Sequence, residues 1–213
     1  MKEAYVQFHG IVKKFGTVVA NDHIDLDVEK GEILAILGEN GSGKSTLMNM
    51  LSGIYMPDSG SITINGKPAE IRSPKDSIKL GIGMIHQHFK LIDNFTGYQN
   101  ILMGNSSASL RQKKEIKKIN ELMDKYGLHI DLDKYVYDMS VGEKQTLEII
   151  RVLYRGADIL ILDEPTAVLT PEEIKKLFVI LKNMRSAGHA IIIITHKLNE
   201  VMEISDRVTV LRK

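Results

Sequence analysis

The segment Gly38-Glu39-Asn40-Gly41-Ser42-Gly43-Lys44-Ser45 fits the pattern G-x-x-x-x-G-K-[ST]. A chance match in a chain of this length is on the order of one in a hundred. These residue types at this spacing can hold a string of phosphates. Glycines let backbone N–H groups turn inward as an anion nest. A helix that starts at the end of the loop adds the positive end of its dipole. Lys44 would then reach the β- and γ-phosphates, Ser45 would offer its hydroxyl to Mg²⁺, and Thr46 would reach the α-phosphate. The competing reading is a glycine-rich turn that ends in a solvated lysine. The run ILAIL before the loop and TLMNML after it supply the strand–loop–helix context that the phosphate reading requires.

A second group of candidates follows the apolar run ILIL. Asp163 stands at its C-terminal end, Glu164 is next, and Pro165 ends the strand. Ligands of open α/β sheets sit at that edge. An aspartate there can hold Mg²⁺ directly or through water, and a second carboxylate beside it can orient or deprotonate an attacking water. Taken alone, the pair could equally be a charged strand end that solubilises a loop. Beside a phosphate loop the catalytic reading is favoured.

Elements must bring these groups together. Residues 4–8 and 24–28 alternate in polarity, and residues 33–37 form a buried run, so the first third reads as strands. A helix is expected from about 43 to 51, and residues 61–64 before Asn65-Gly66 read as a strand entering a hairpin turn. Ser73-Pro74 signals a helix start, and 82–85 is a short strand. Residues 96–154 change to a helical pattern, with helices near 97–103, 113–126 and 141–153. Strand and helix then alternate: strand 158–162, helix 171–186, strand 190–194, helix 197–204, strand 207–211. The expected fold class is α/β, a mostly parallel sheet with an N-terminal antiparallel β part and an inserted helical lobe. The expected division is residues 1–87 and 157–213 as the core and 88–156 as the lobe. The abrupt end after the last strand leads us to expect a longer protein of which this is the N-terminal half.

Composition narrows the function. With 28 Lys+Arg against 27 Asp+Glu, the net charge of +1 argues against general nucleic-acid binding. The absence of cysteine excludes disulfide scaffolds, thiolate zinc sites and cysteine nucleophiles. The apolar runs are strand-sized, below the ~18 residues of a spanning helix. Met1-Lys2-Glu3 and the alternation after it do not resemble a secretory signal, so a cytoplasmic location is expected.

In the order and nature of these motifs the chain resembles the nucleotide-binding domain of ABC transporters. Phe15 stands where that family places an aromatic that stacks on adenine, and Gln87 in MIHQHF matches its Q-loop. Met139-Ser140-Val141-Gly142-Glu143 stands in place of the LSGGQ signature, Asp163-Glu164 is the Walker B pair, and His196 matches the switch histidine. The stretches RSPKDSIKLGIGMIHQHF, YRGADILILDEPTAVLTPEE and HKLNEVMEISDRVTVLR resemble the fused ATPases of simple-sugar and nucleoside importers, and HQHF their purine-nucleoside branch. The resemblance implies that Asn40, Gly41, Ser42 and Gly43 wrap ATP with Lys44, and that Gln87 joins Ser45 and Asp163 around Mg²⁺. It implies Glu164, His196 and Gln87 as the hydrolytic residues, and Ser140 and Gly142 as contacts to the γ-phosphate held by a second nucleotide-binding domain. That domain would pack head to tail, in the same polypeptide. Membrane permease subunits, and through them a solute-binding protein, are the implied partners, at the cytoplasmic face of the membrane.

Two departures from the family pattern stand out. Val141 and Glu143 alter the signature, and Ser140-x-x-Glu143 also reads as a helix capping box. Ala167-Val168-Leu169-Thr170 replaces the usual SALD, which keeps a helix cap at Thr170 and removes a carboxylate, so altered cross-talk between two ATP sites is expected. His86 and His88 flank Gln87 without a nearby carboxylate or third histidine, so packing or a membrane-subunit contact is favoured over a zinc site. Arg111, Lys113, Lys114, Lys117 and Lys118 read as a solvated helix face, with lipid headgroup or partner contact as the alternative. Phe95 and Tyr98 line a coupling groove or simply pack, and the methionines read as core filler. Competing functions are a soluble ABC ATPase acting on DNA or ribosomes, a non-hydrolysing nucleotide-binding module, and a P-loop kinase.

Overall fold

The computed structural model describes residues 4–103 and 112–212. Met1, Lys2, Glu3 and Arg111 of the basic run lie outside the described residues. Two strands open the chain, β1 (Ala4–Phe15) and β2 (Val18–Glu29), joined by a two-residue turn at Gly16-Thr17. Both run well beyond the expected 4–8 and 24–28. Register shifts between Phe8 and Ile11 and again around Lys13 insert bulges, and each bulge breaks the period-two pattern that marks a strand in sequence. β4 (Ser59–Ile64) pairs antiparallel with β1 and turns through Asn65-Gly66, both at positive φ, into β5 (Lys67–Pro68). The sheet order is β2-β1-β4-β5.

The second sheet is wholly parallel. Its spatial order is β6 (Ile82–Ile85), β7 (Ile159–Asp163), β8 (Ala190–Ile194), β3 (Ile33–Leu37) and β9 (Arg207–Val210). The central strands carry unbroken aliphatic runs because both faces are covered. Alternate residues serve two cores. Ile33, Leu160, Leu162, Ile191 and Ile193 pack with α5 (Val141–Tyr154), α6 (Pro171–Ser186) and α4 (Gln112–Tyr126) through Leu147, Leu177, Leu181 and Ile119. Leu34, Ile36, Ile161, Ile192 and Ile194 pack with α1 (Lys44–Leu51) and the inner face of the antiparallel sheet, including Val6, Phe8 and Val28. At ~1.5–3 kcal/mol for each buried aliphatic side chain, these two cores are the main source of stability.

The described residues also hold three shorter α-helices, α2 (Pro74–Lys79), capped by Ser73 with Pro74 first as expected, α3 (Gly97–Leu102) and α7 (Leu198–Ile204), and a 3-10 turn at Val136–Asp138. Among the described residues no helix is long and apolar enough to cross a membrane. The topology has one consequence for the site. β6, β7, β8 and β3 are neighbours, and their C-terminal ends lead to Gln87, Asp163-Glu164, His196 and the glycine loop respectively. Residues scattered over the sequence therefore meet along one sheet edge.

Candidate functional site

The loop between β3 and α1 is shaped by its glycines and by β2. Gly43 has φ 91, and a side chain there would land on the Ala20 carbonyl and the Asn21 amide. Asn21 is buried, and its Nδ2 donates to the Gly43 carbonyl at 3.3 Å. Lys44, only 7% exposed, folds back along the loop, where its Nζ donates to the carbonyls of Gly38 (2.8 Å) and Glu39 (2.9 Å). The Ser42 hydroxyl is buried with no hydrogen-bond partner. A helix start, a buried ammonium and an unpartnered hydroxyl fit an anion that brings several acceptor oxygens.

The acid pair faces this loop. The Ser45 hydroxyl and Asp163 line the same cleft. Burial pushes the Asp163 carboxyl above the ordinary carboxylate range; the Ser45 hydroxyl opposes this, nearby Glu164 adds to it, and Lys44 reduces it. Glu164 has φ 49, unusual for a side chain of this size, and is held there by its N–H bond to the Ile194 carbonyl at 2.9 Å. Its Oε1 lies 2.8 Å from His196 Nδ1, while Oε2 is buried without a partner. Asn40–Thr46, Gln87, Asp163, Glu164 and Ile194 together line a cleft of about 220 Å³. Among the described residues no cluster of three or more histidine and acidic ligands exists. One hydroxyl, one half-buried carboxylate and one amide suit a hard divalent cation that draws its remaining oxygens from water and phosphate.

The other expected residues lie elsewhere. Phe15, 43% exposed, stands at the end of β1 with Tyr55 packed edge-on at 5.1 Å and Lys13 Nζ 5.5 Å from its ring centre. Tyr55 and Asn21 escaped the sequence reading; nothing in their local pattern marks them, because each acts through a partner distant in sequence. Ser140 caps α5 in a full capping box: its Oγ accepts from Glu143 N–H (3.2 Å), and Glu143 Oε2 accepts from Ser140 N–H (2.7 Å). The Gly142 N–H donates to Glu173 Oε1 at 3.1 Å. Ser140 and Gly142 line a different cleft with Glu143, Glu173 and Lys176, one that shares no residue with the Lys44 cleft. A single chain therefore does not bring the signature segment to its own phosphate loop. Thr170 caps α6 as expected.

Past Gln87 the chain is fastened to α5. Lys90 N–H donates to Glu148 Oε1 (2.9 Å), Arg151 Nη1 donates to the Lys90 carbonyl (2.6 Å), and Arg151 Nη2 donates to Glu148 Oε2 (2.6 Å). Glu148 and Arg151 are i,i+3 on one buried helix face, a signal present in the sequence whose partner was not. His86 is half-buried, its pKa pushed down by burial and by Lys90 and Arg151, and it lines a third cleft with Ile54, Ile78 and Arg155. His88 is exposed, as are Lys113, Lys114, Lys117 and Lys118 on α4.

A family profile described as ABC transporter matches residues 21–167. The chain is 51% identical over 214 residues to the nucleoside import ATP-binding protein NupA of Lactococcus lactis, and 52% identical to the guanosine import ATP-binding protein NupO of Bacillus subtilis. Each alignment covers 99% of this chain and 42% of the relative, so the chain spans under half the length of these relatives. Among solved structures, MJ1267, an ATP-binding cassette of an ABC transporter in its ADP conformation, superposes with a TM-score of 0.88 at 26% identity, covering 99% of this chain and 88% of that one. Because that family profile matches well over half of the chain, the chain belongs to the ABC transporter family.

Proposed function

We propose that the chain is the ATP-binding and ATP-hydrolysing domain that powers a membrane importer of nucleosides or simple sugars. The observation that carries this reading is the convergence of Lys44, Ser45, Gln87, Asp163 and Glu164 in one cleft at the sheet edge. Gly38–Gly43 and Thr46 wrap the phosphates, Lys44 leaves its loop carbonyls for the β- and γ-phosphates, and Phe15 stacks on the base. Ser45, Asp163 and Gln87 would hold Mg²⁺, which would neutralise phosphate charge. Glu164 orients the attacking water and takes its proton at the partner-free Oε2, while His196 holds Oε1. Water adds to the γ-phosphorus, the bond to the β-phosphate oxygen breaks, and ADP leaves. Ser140 and Gly142 line a cleft of their own, which supports a second nucleotide-binding domain packed head to tail, with residues 88–156 as the lobe that presents the signature. The relatives' names, and their length beyond the matched region, support importer permeases as partners, nucleosides as cargo, a second domain in the same polypeptide, and a place at the cytoplasmic face of the membrane.

The test is Glu164→Gln. It retains MgATP binding by calorimetry and loses at least ~10²-fold in turnover, the scale of a positioned general base. No heat with MgATP in the parent, or undiminished turnover in the variant, refutes the reading.

A further inference from the structure

A carboxylate already sits on the signature turn. Of the N–H groups that open α5, that of Ser140 is taken by Glu143, that of Glu143 by the Ser140 hydroxyl, and that of Gly142 by Glu173 Oε1. Glu173 belongs to another helix. It is the third residue of α6, and its second oxygen accepts from the Thr170 N–H at 2.9 Å. One side chain thus spans the N-terminal caps of two helices: α5, which carries the signature, and α6, which begins just past the Asp163-Glu164 loop. The bridge needs a glycine at 142, since a Cβ there would lie 2.5 Å from Glu173 Oε1. The Thr170 N–H bond, with that of Gly142 and the charge of nearby Lys176, outweighs burial and keeps this carboxyl below the ordinary range, so it is ionised at neutral pH.

We propose that Glu173 is a resident anion that latches the signature turn, and that the γ-phosphate of the second domain must displace it from Gly142 before the two domains close. The latch rests on the function proposed above, and it links two elements that closure must rearrange together. It also gives Thr170 a physical meaning. An aspartate at 170 would set a second negative charge beside Glu173 and push it off the turn; the neutral threonine lets the carboxylate stay. Glu173 is a positioning residue, because it reaches substrate only through the group it occupies.

The experiment uses the chain carrying Glu164→Gln, so that bound ATP persists, with and without Glu173→Gln or Glu173→Ala. Hydrogen exchange at the Gly142 amide is measured without nucleotide. Association of two domains is followed by sedimentation against MgATP concentration. Glu173→Ala speeds Gly142 exchange about tenfold, the loss of one charge-assisted hydrogen bond, and lowers the half-association MgATP concentration by a similar factor. Glu173→Gln falls between, because its amide oxygen still accepts while the charge is gone. Unchanged Gly142 exchange overturns the latch. So does faster exchange with an unchanged or higher MgATP requirement, which would make Glu173 a strut. A parent that takes up no MgATP in calorimetry overturns the nucleotide reading and the latch with it; a parent that binds MgATP but never associates at saturation overturns the latch alone, and a parent that binds and associates isolates it.

Discussion

Arg151→Met is the substitution whose cost the structure specifies most fully. Arg151 is 8% and Glu148 3% exposed, and the two hold both backbone polar groups of Lys90 in a closed ring of hydrogen bonds. Removing the guanidinium strands the Lys90 carbonyl and leaves Glu148 a buried acid with one N–H donor. Its carboxyl is already pushed up by burial against the pull of Arg151, so the variant protonates it rather than hold an unpaired charge. Breaking a buried pair from one side costs about 3–5 kcal/mol. For a domain of this size each kcal/mol shifts Tm by ~2–4 °C, so a fall of roughly 6–20 °C is expected. The double variant Glu148→Leu/Arg151→Met leaves no buried charge unpaired and should recover part of that loss, although both Lys90 backbone groups then lose their partners. Urea and thermal unfolding measure all four corners of the cycle. A single variant within ~1 kcal/mol of the parent refutes the ring as a fastener, and so does a double variant no more stable than Arg151→Met.

Other expectations are more local. Lys44→Ala removes a charged donor from the phosphate loop and should weaken MgATP by at least ~10²-fold, since hydrogen bonds to charged groups are worth ~1.5–3 kcal/mol each; calorimetry showing a change under threefold would contradict it. Phe15→Ala should weaken ATP about 5- to 150-fold, and Tyr55→Ala less, because stacking on one ring is worth ~1–3 kcal/mol. Stacking reads only a π-face, so GTP should lose affinity in parallel; a fluorescent-nucleotide titration in which only ATP suffers would count against it. His189, hydrogen-bonded to the Tyr126 hydroxyl at 2.7 Å, is held below its ordinary pKa of 6.5 by burial, with Asp158 opposing and Lys125 adding. A base depressed in the fold gives stability that is whole above its unfolded pKa and is lost as pH falls towards and through the folded value. His189→Gln should therefore flatten the decline of urea midpoints as pH falls below the ordinary 6.5, and an unaltered slope would exclude this histidine as its source.

Much of this molecule is written locally. The aliphatic runs at 33–37, 159–162 and 190–194, the capping signals at Ser73, Ser140 and Thr170, and the Asn65-Gly66 turn each name an element through neighbours within a few residues. The glycine loop and the acid pair are legible for the same reason, since their chemistry depends on residues adjacent in sequence and on a strand end that periodicity reveals. The full reach of β1 and β2 was not legible, because bulges are set by the partner strand and erase the alternation. Nor was the partner of any long-range side chain: Asn21 on the Gly43 carbonyl, Tyr55 against Phe15, the Lys90 ring on α5, Glu173 on Gly142. Glu173 stands three residues past the cap Thr170, where it completes the capping box; only the tertiary structure shows that its other oxygen serves a second helix. The sequence by itself determined which segments fold and which groups can do chemistry, through propensities that act over a turn or a strand. The tertiary structure alone decided which of those groups meet, because hydrogen bonds and van der Waals contacts act over a few ångströms in space, whatever the distance along the chain.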